Sequence, residues 1–238
     1  MKVIRNDSYI DRRSKIGRYT SLAALIVLGV GMLISIARPQ LIIWAFGSLL
    51  VGLLLSLIGI YYGNRFSRVD RPDVVLTKAL KGLDDRYFLY HYRTPTAHLL
   101  VGPDACLVLS VQLQSGKVSV QGNHWKQSMG WKWLFAWMGQ ENLGNPAKTA
   151  QAEADAVERL LSKQLPGVDV PLTPVVVFTD PKVELDVADT SVSAVHVKQL
   201  KDWLRGTDAS KAGKLSASAR KAVLDLFGRD ESSAALES

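Results

Sequence analysis

The chain is nearly devoid of cysteine, with Cys106 its only one. That excludes an intramolecular disulfide framework and any zinc site built on several thiolates. Histidine is scarce as well: His91, His98, His124 and His196 are all there is. The sequence holds no P-loop and no dinucleotide-binding glycine pattern. Ser110 has no nucleophile elbow around it, which argues against serine hydrolysis. Charge is missing over two long stretches: no charged residue lies between Arg18 and Arg38, and none from Leu41 to Tyr62.

What charge there is falls unevenly. The net of +7 comes from 29 Lys+Arg against 22 Asp+Glu over 238 residues. Residues 1–73 hold 10 of the basic and 4 of the acidic residues, so the excess belongs to the N-terminal third. The remainder is close to neutral, which argues against a broad nucleic-acid-binding face there.

The charge-free stretches are apolar. Ser21–Ala37 and Leu41–Tyr62 each approach the roughly 20 helical residues needed to cross hydrocarbon, and helix satisfies the backbone internally. Only Arg38-Pro39-Gln40 links them, so the pair reads as an antiparallel transmembrane hairpin at 21–62. Six basic residues from Lys2 to Arg18 precede it, and Arg65, Arg68 and Arg71 follow. Arg38 alone lies in the link. The positive-inside rule then predicts a multi-pass membrane protein with both termini cytoplasmic, residues 1–20 forming a basic N-terminus. A cleaved signal peptide does not fit, because a second span follows at once. Gly59 and Gly63 stand at GxxxG spacing, a pattern that glycine-rich spans also show by chance.

From residue 72 the pattern turns globular. Pro72-Asp73 can open a helix, with Leu76, Ala79, Leu80 and Leu83 at helical spacing. Arg86–Tyr92, Ala97–Val101 and Cys106–Val111 read as strands, the last two separated by the turn residues Gly102-Pro103-Asp104. Lys117–Val120 and Trp125–Gln127 read as a short hairpin. Asn145-Pro146 is a capped helix start, and the helix runs to about Gln164. Pro174–Phe178 is a strand buried on both faces. A strand at Ala194–Val197, a helix at Lys198–Arg205, a polar linker at 207–214, a helix at Ala217–Phe227 and a loose tail at 230–238 complete the order. The expected class is α/β, a mixed sheet flanked by helices, with the globular domain at 72–206 and a linker, helix and tail at 207–238.

Several short motifs in this region occur in a telling order: Ala97-His98-Leu99-Leu100-Val101-Gly102-Pro103, Leu109-Ser110-Val111-Gln112, Ser115-Gly116-Lys117, Asn123-His124-Trp125 and Asn145-Pro146. Over roughly 130 residues they resemble the nuclease-related domain family. The resemblance implies a PD-(D/E)xK nuclease-like fold and a metal-dependent phosphodiesterase site. On that pattern Asp73 stands at the helical acidic position and Ala97 at the metal-binding Asp. Ser110 and Gln112 stand at the Glu and Lys of Glu-x-Lys, and Thr149 where a Gln is expected. The chemistry needs carboxylates to hold Mg²⁺ and a cation to orient the nucleophile. Ala97 offers no ligand, Ser110 a poor one, and Gln112 no charge. With this motif degenerate, no catalytic residue, metal site or cofactor is expected.

Two further groups draw notice. His91 and His98 lie on adjacent predicted strands, where packing outweighs a metal pair that lacks a third ligand. The stretch Met129–Met138 carries Trp131, Trp133, Phe135 and Trp137. It suits the headgroup layer of a bilayer and equally suits a cover for the nuclease-like cleft. The reading is a membrane-anchored protein whose cytoplasmic nuclease-related domain acts as a binding or scaffolding module. Its expected partners are the lipid bilayer and a protein of unknown kind, with nucleic acid weakly supported. The alternative is a membrane-tethered, Mg²⁺-dependent nuclease acting on DNA or RNA.

Overall fold

A computed structural model describes residues 1–122, 124–128, 143–188, 190–206 and 213–236. The chain divides into two compact units. Asp7–Arg71 form one, and Met1–Asn6 join Pro72–Ser238 in the other.

The first unit is a helical hairpin. Helix α1 spans Asp7–Ala37 and α2 spans Ile42–Tyr62. A single 3-10 turn at Pro39–Leu41 joins them. Pro39 supplies no amide donor and pushes Arg38 out of helical geometry, which ends α1. Both helices are long and apolar enough to cross a membrane. Their outer faces are bare: Leu25, Ile36, Ile43 and Trp44 are each about 70% exposed or more. The inner seam is made of small residues, with Gly17, Ala24 and Gly31 of α1 and Gly52 and Gly59 of α2 buried.

Helix α1 begins earlier than its apolar run. Residues 7–20 add about four turns below Ser21. A π-helical turn at Gly63–Ser67 extends α2 alongside them. There the Tyr9 ring meets Phe66 at 6.0 Å, Arg13 donates to the Tyr62 hydroxyl at 2.7 Å, and Ser14 and Ser67 share a hydrogen bond.

The GxxxG pair divides in function. A Cβ on Gly59 would collide with the Ser21 side chain and sit 3.1 Å from its amide nitrogen, whereas a Cβ on Gly63 meets open space. Gly59→Val therefore forces the helices apart. It should cost about 1–3 kcal/mol of hairpin stability, and Gly63→Ala should stay within about 0.5 kcal/mol. Thermal unfolding of the two detergent-solubilised variants checks the contrast.

The second unit is a mixed sheet covered on both faces. Its strands are β1 (Lys2–Arg5), β2 (Phe88–His91), β3 (His98–Val101), β4 (Cys106–Gln112), β7 (Leu172–Phe178) and β9 (Ser193–His196), adjacent in that order. β2–β3 and β3–β4 are antiparallel, while β1–β2, β4–β7 and β7–β9 are parallel. A smaller sheet orders β6 (His124–Ser128), β5 (Lys117–Gln121) and β8 (Glu184–Ala188).

Among the described residues this unit has four helices: α3 (Pro72–Ala79), α4 (Pro146–Gln164), α5 (Leu200–Arg205) and α6 (Ala217–Leu236). Side-chain alternation along the strands sorts them into layers. Leu76, Leu80, Leu83 and Leu200 pack over Leu89, Leu100, Leu107 and Leu109 on one face. On the other, Val157 and Leu161 of α4 and Val223 and Phe227 of α6 cover Tyr90, Leu99, Cys106 and Val108.

Most predicted elements fall within a few residues of their observed bounds, and the α/β class stands. Three differ. The segment read only as a basic N-terminus contributes an edge strand and the start of α1. Strand β8 went unread, although Glu184-Leu185-Asp186-Val187 alternates polar and apolar residues; the strand is short and mostly exposed. The helix read at Ala217–Phe227 continues to Leu236, through most of the stretch read as a loose tail at 230–238.

Cys106 lies at the start of β4 with no exposed surface. Burial pushes its thiol up to about 12, because the thiolate would lose its hydration. At pH 9, where an unperturbed thiol is half ionised, alkylation should be negligible in the folded protein and complete in denaturant. Ready labelling of native protein would contradict that burial.

Candidate functional site

The nuclease-like positions lie near one end of β2, β3 and β4, where α3 and α4 begin. The sheet separates them into two groups. On the α3 face, Asp73 stands in the first turn of the helix with 1% of its surface exposed. Its Oδ2 accepts from Nη1 of Arg5 at 3.4 Å. Arg5 is the last residue of β1, opposite His91 in the parallel register, and the next amide, Asn6, donates to the His91 carbonyl.

The same face carries a buried histidine pair. His91 and His98 are 0% and 2% exposed and lie directly opposite each other across β2–β3. Their Nδ1 atoms are 2.8 Å apart. Two imidazoles sharing a zinc ion bind at about 2.0–2.1 Å each, which leaves their nitrogens farther apart than this, so the geometry is that of a hydrogen bond. The proton directions follow from the neighbours. The Thr77 hydroxyl donates its one proton to the Asp73 carbonyl at 2.7 Å. It therefore accepts from His91 Nε2–H at 3.1 Å. In neutral His91 the Nδ1 is then an acceptor, and His98 Nδ1–H is its donor.

The other four motif positions lie elsewhere. Ala97 precedes β3 by one residue and is half-buried, its carbonyl accepting from the Tyr92 amide at 2.8 Å. Tyr92 holds a left-handed backbone, φ 56°, which costs a bulky residue energy. Its ring sits against that of His98 at 5.2 Å. Ser110 and Gln112 continue the Cys106–Val108 side of β4, which faces α4. Ser110 is 2% exposed. The Gln112 carbonyl accepts from both the amide and the hydroxyl of Thr179. Thr149 is exposed in the first turn of α4, whose cap is the Asn145 side chain accepting from the Lys148 amide at 3.0 Å.

One carboxylate that the motif mapping passed over lies close by. Glu153 of α4 accepts from the Thr96 hydroxyl at 3.4 Å, and Thr96 adjoins Ala97. Its spacing of four from Thr149 puts the two on one helical face, a signal that the sequence did contain. Asp104, by contrast, follows the far end of β3, about 13 Å along the strand. It lines a separate cavity of about 530 Å³ with Tyr87, Gly102, Leu204 and Lys214. Burial raises the Tyr87 phenol there. Trp131, Trp133, Phe135 and Trp137 lie outside the described residues.

These residues do not fit a hard divalent cation. Such an ion wants several oxygen ligands around it. Asp73 is already paired to a guanidinium, Ala97 has no donor, and Gln112 is neutral. Among the described residues no group of three or more His, Cys, Asp or Glu could hold a metal.

The Arg5–Asp73 contact instead fastens β1. Arg5→Met should speed amide exchange at residues 2–5 while leaving β4 and β7 protected. Asp73→Asn should lower stability by about 1–3 kcal/mol, the range for weakening a buried hydrogen-bonded pair. Unchanged exchange in Arg5→Met would remove the fastening role.

Residues 74–179 match the nuclease-related domain family. The chain thus carries a nuclease-related domain, nuclease-like in fold, as its motifs suggested. No curated protein and no solved structure matches the chain.

Proposed function

We propose that this chain, whose residues 74–179 form a nuclease-related domain, is a membrane-anchored protein in which that domain binds or scaffolds rather than cleaves. The observation that carries the reading is the state of Asp73. The only motif carboxylate left is buried and paired with Arg5 of the same unit. The positions that would complete a metal site hold Ala97, Ser110 and Gln112. Transition-state charge on a phosphoryl group would meet neither a metal nor the motif's ammonium group.

The membrane half of the proposal rests on the hairpin's exposed apolar faces and on connectivity. Residues before and after the hairpin both enter one compact unit, which favours two spans with both ends on one side. Basic residues flank those ends and Arg38 alone marks the link, which favours a cytoplasmic domain. A protein surface is the favoured ligand class, since the unit's net charge is close to zero.

The test uses the full chain in detergent, because a fragment starting after the hairpin would lack β1. Labelled DNA and RNA are incubated with it and Mg²⁺ or Mn²⁺, and thermal unfolding is followed with and without the metals. No cleavage and no metal-dependent shift are expected. Metal-dependent cleavage that disappears in Asp73→Asn would overturn the reading and establish the tethered nuclease.

A further inference from the structure

The legs of the hairpin are basic. Residues 7–20 and 62–71 together hold seven Lys/Arg against three Asp, all outside the apolar runs. Two of the cations are held over rings: Arg13 lies 5.4 Å from the Tyr62 centroid and Arg65 4.7 Å from that of Tyr61. Arg12, Lys15, Arg18 and Arg68 are exposed, and none of them makes an ion pair among the described residues.

Their placement is ordered. At 3.6 residues per turn, Arg12, Lys15 and Arg18 fall within an arc of about 120°. That arc is opposite the face of α1 on which Ile10, Gly17 and Ala24 are buried. With a rise of 1.5 Å per residue, Arg18 stands about 4.5 Å and Lys15 about 9 Å from Ser21, where the apolar run begins. The headgroup layer of one leaflet is about 5–8 Å deep. Long basic side chains at those heights reach lipid phosphates, with their stems along the apolar boundary. Arg68 lies just beyond the π-helical turn on the other leg.

Resting on the membrane reading above, we infer that the two legs form a binding surface for anionic phospholipid headgroups. The exposed face of Arg12, Lys15 and Arg18, with Arg68, holds phosphates of the leaflet around the hairpin. The ring-held Arg13 and Arg65 sit behind them at the interface. The surface selects anionic over zwitterionic lipid, because a choline headgroup cancels its own phosphate charge. Each Lys or Arg near such a surface strengthens attraction by about fivefold at physiological salt, and the attraction is screened as salt rises.

The test reconstitutes the full chain into vesicles of equal parts phosphatidylcholine and phosphatidylglycerol. The protein is withdrawn in mild detergent and the lipid that accompanies it is measured. Phosphatidylglycerol should exceed phosphatidylcholine by about fivefold or more and fall toward parity in high salt. The same loss is expected for Arg12→Gln, Lys15→Gln, Arg18→Gln and Arg68→Gln combined. That variant keeps Lys2, Arg5, Arg13, Arg65 and Arg71, so the topological bias survives. Parity in the unaltered protein, or an excess indifferent to salt and to the four substitutions, would overturn the inference. So would displacement of the lipid by soluble glycerol phosphate at matched ionic strength, which would make the site one for free phosphate. Alkaline carbonate extraction of the vesicles separates the two readings. Protein that resists extraction yet shows parity defeats the lipid surface alone, and protein that is extracted defeats the membrane anchor beneath it.

Discussion

The parallel pairing of Lys2–Arg5 with Phe88–His91 is the contact that organises the molecule. Parallel neighbours cannot be joined by a tight turn and need a crossover. Here the crossover contains both apolar helices and α3. The hairpin is therefore an insertion within a sheet connection rather than a leader placed ahead of a domain. Strand β1 cannot find its partner until everything up to β2 has been made, so this edge closes a loop of more than eighty residues. Such closure is slow more than it is costly, since its entropy grows only with the logarithm of length.

The same contact decides what Asp73 can do. The strand brings a guanidinium to the first turn of α3, beside a carboxylate that has almost no access to water. A carboxylate in that setting needs a cation or donors around it. A metal ion is one solution and an arginine is another. Arginine differs in being part of the chain, planar and permanently charged. It converts a ligand position into a structural tie. The histidine relay under it works in the same direction. Thr77, His91 and His98 use their protons on one another and on the Asp73 carbonyl, so the α3 face is occupied by internal hydrogen bonds.

Much of this was legible from residue pattern. The charge-free runs gave both long apolar helices, and Asn145-Pro146 gave the cap and start of α4, because each signal is local. Strand β1 was hidden for a physical reason. Lys-Val-Ile-Arg is short, basic and mostly exposed, and its only claim to being a strand is a partner more than eighty residues away. The Arg5–Asp73 pair was invisible for the same reason. Glu153 was overlooked because the family pattern directs attention to Thr149, although the helical repeat puts the two on one face. The strain at Tyr92 has no sequence signal, since a tyrosine gives no hint of a left-handed backbone.

On the proposed reading, the nuclease pattern survives where the backbone needs it and fails where the chemistry does. Gly102 stands so close to Tyr87 that a Cβ would lie 3.0 Å from the ring. Asn145 satisfies a helix-terminal amide, and Pro146 occupies a first-turn position that lacks a donor partner in any case. These residues hold the strands and α4 in place whatever the domain does. Ala97, Ser110 and Gln112 differ from the pattern by losing charge, and the changes are coupled by electrostatics. Without its partner carboxylates a metal ion is not held. Without the metal, a carboxylate at 110 would be a buried charge and an ammonium at 112 a half-buried one, each lacking its counter-ion. On that reading, once one member of such a site is gone the neutral residues are the stable choice for the others, while Asp73 remains as the partner of Arg5.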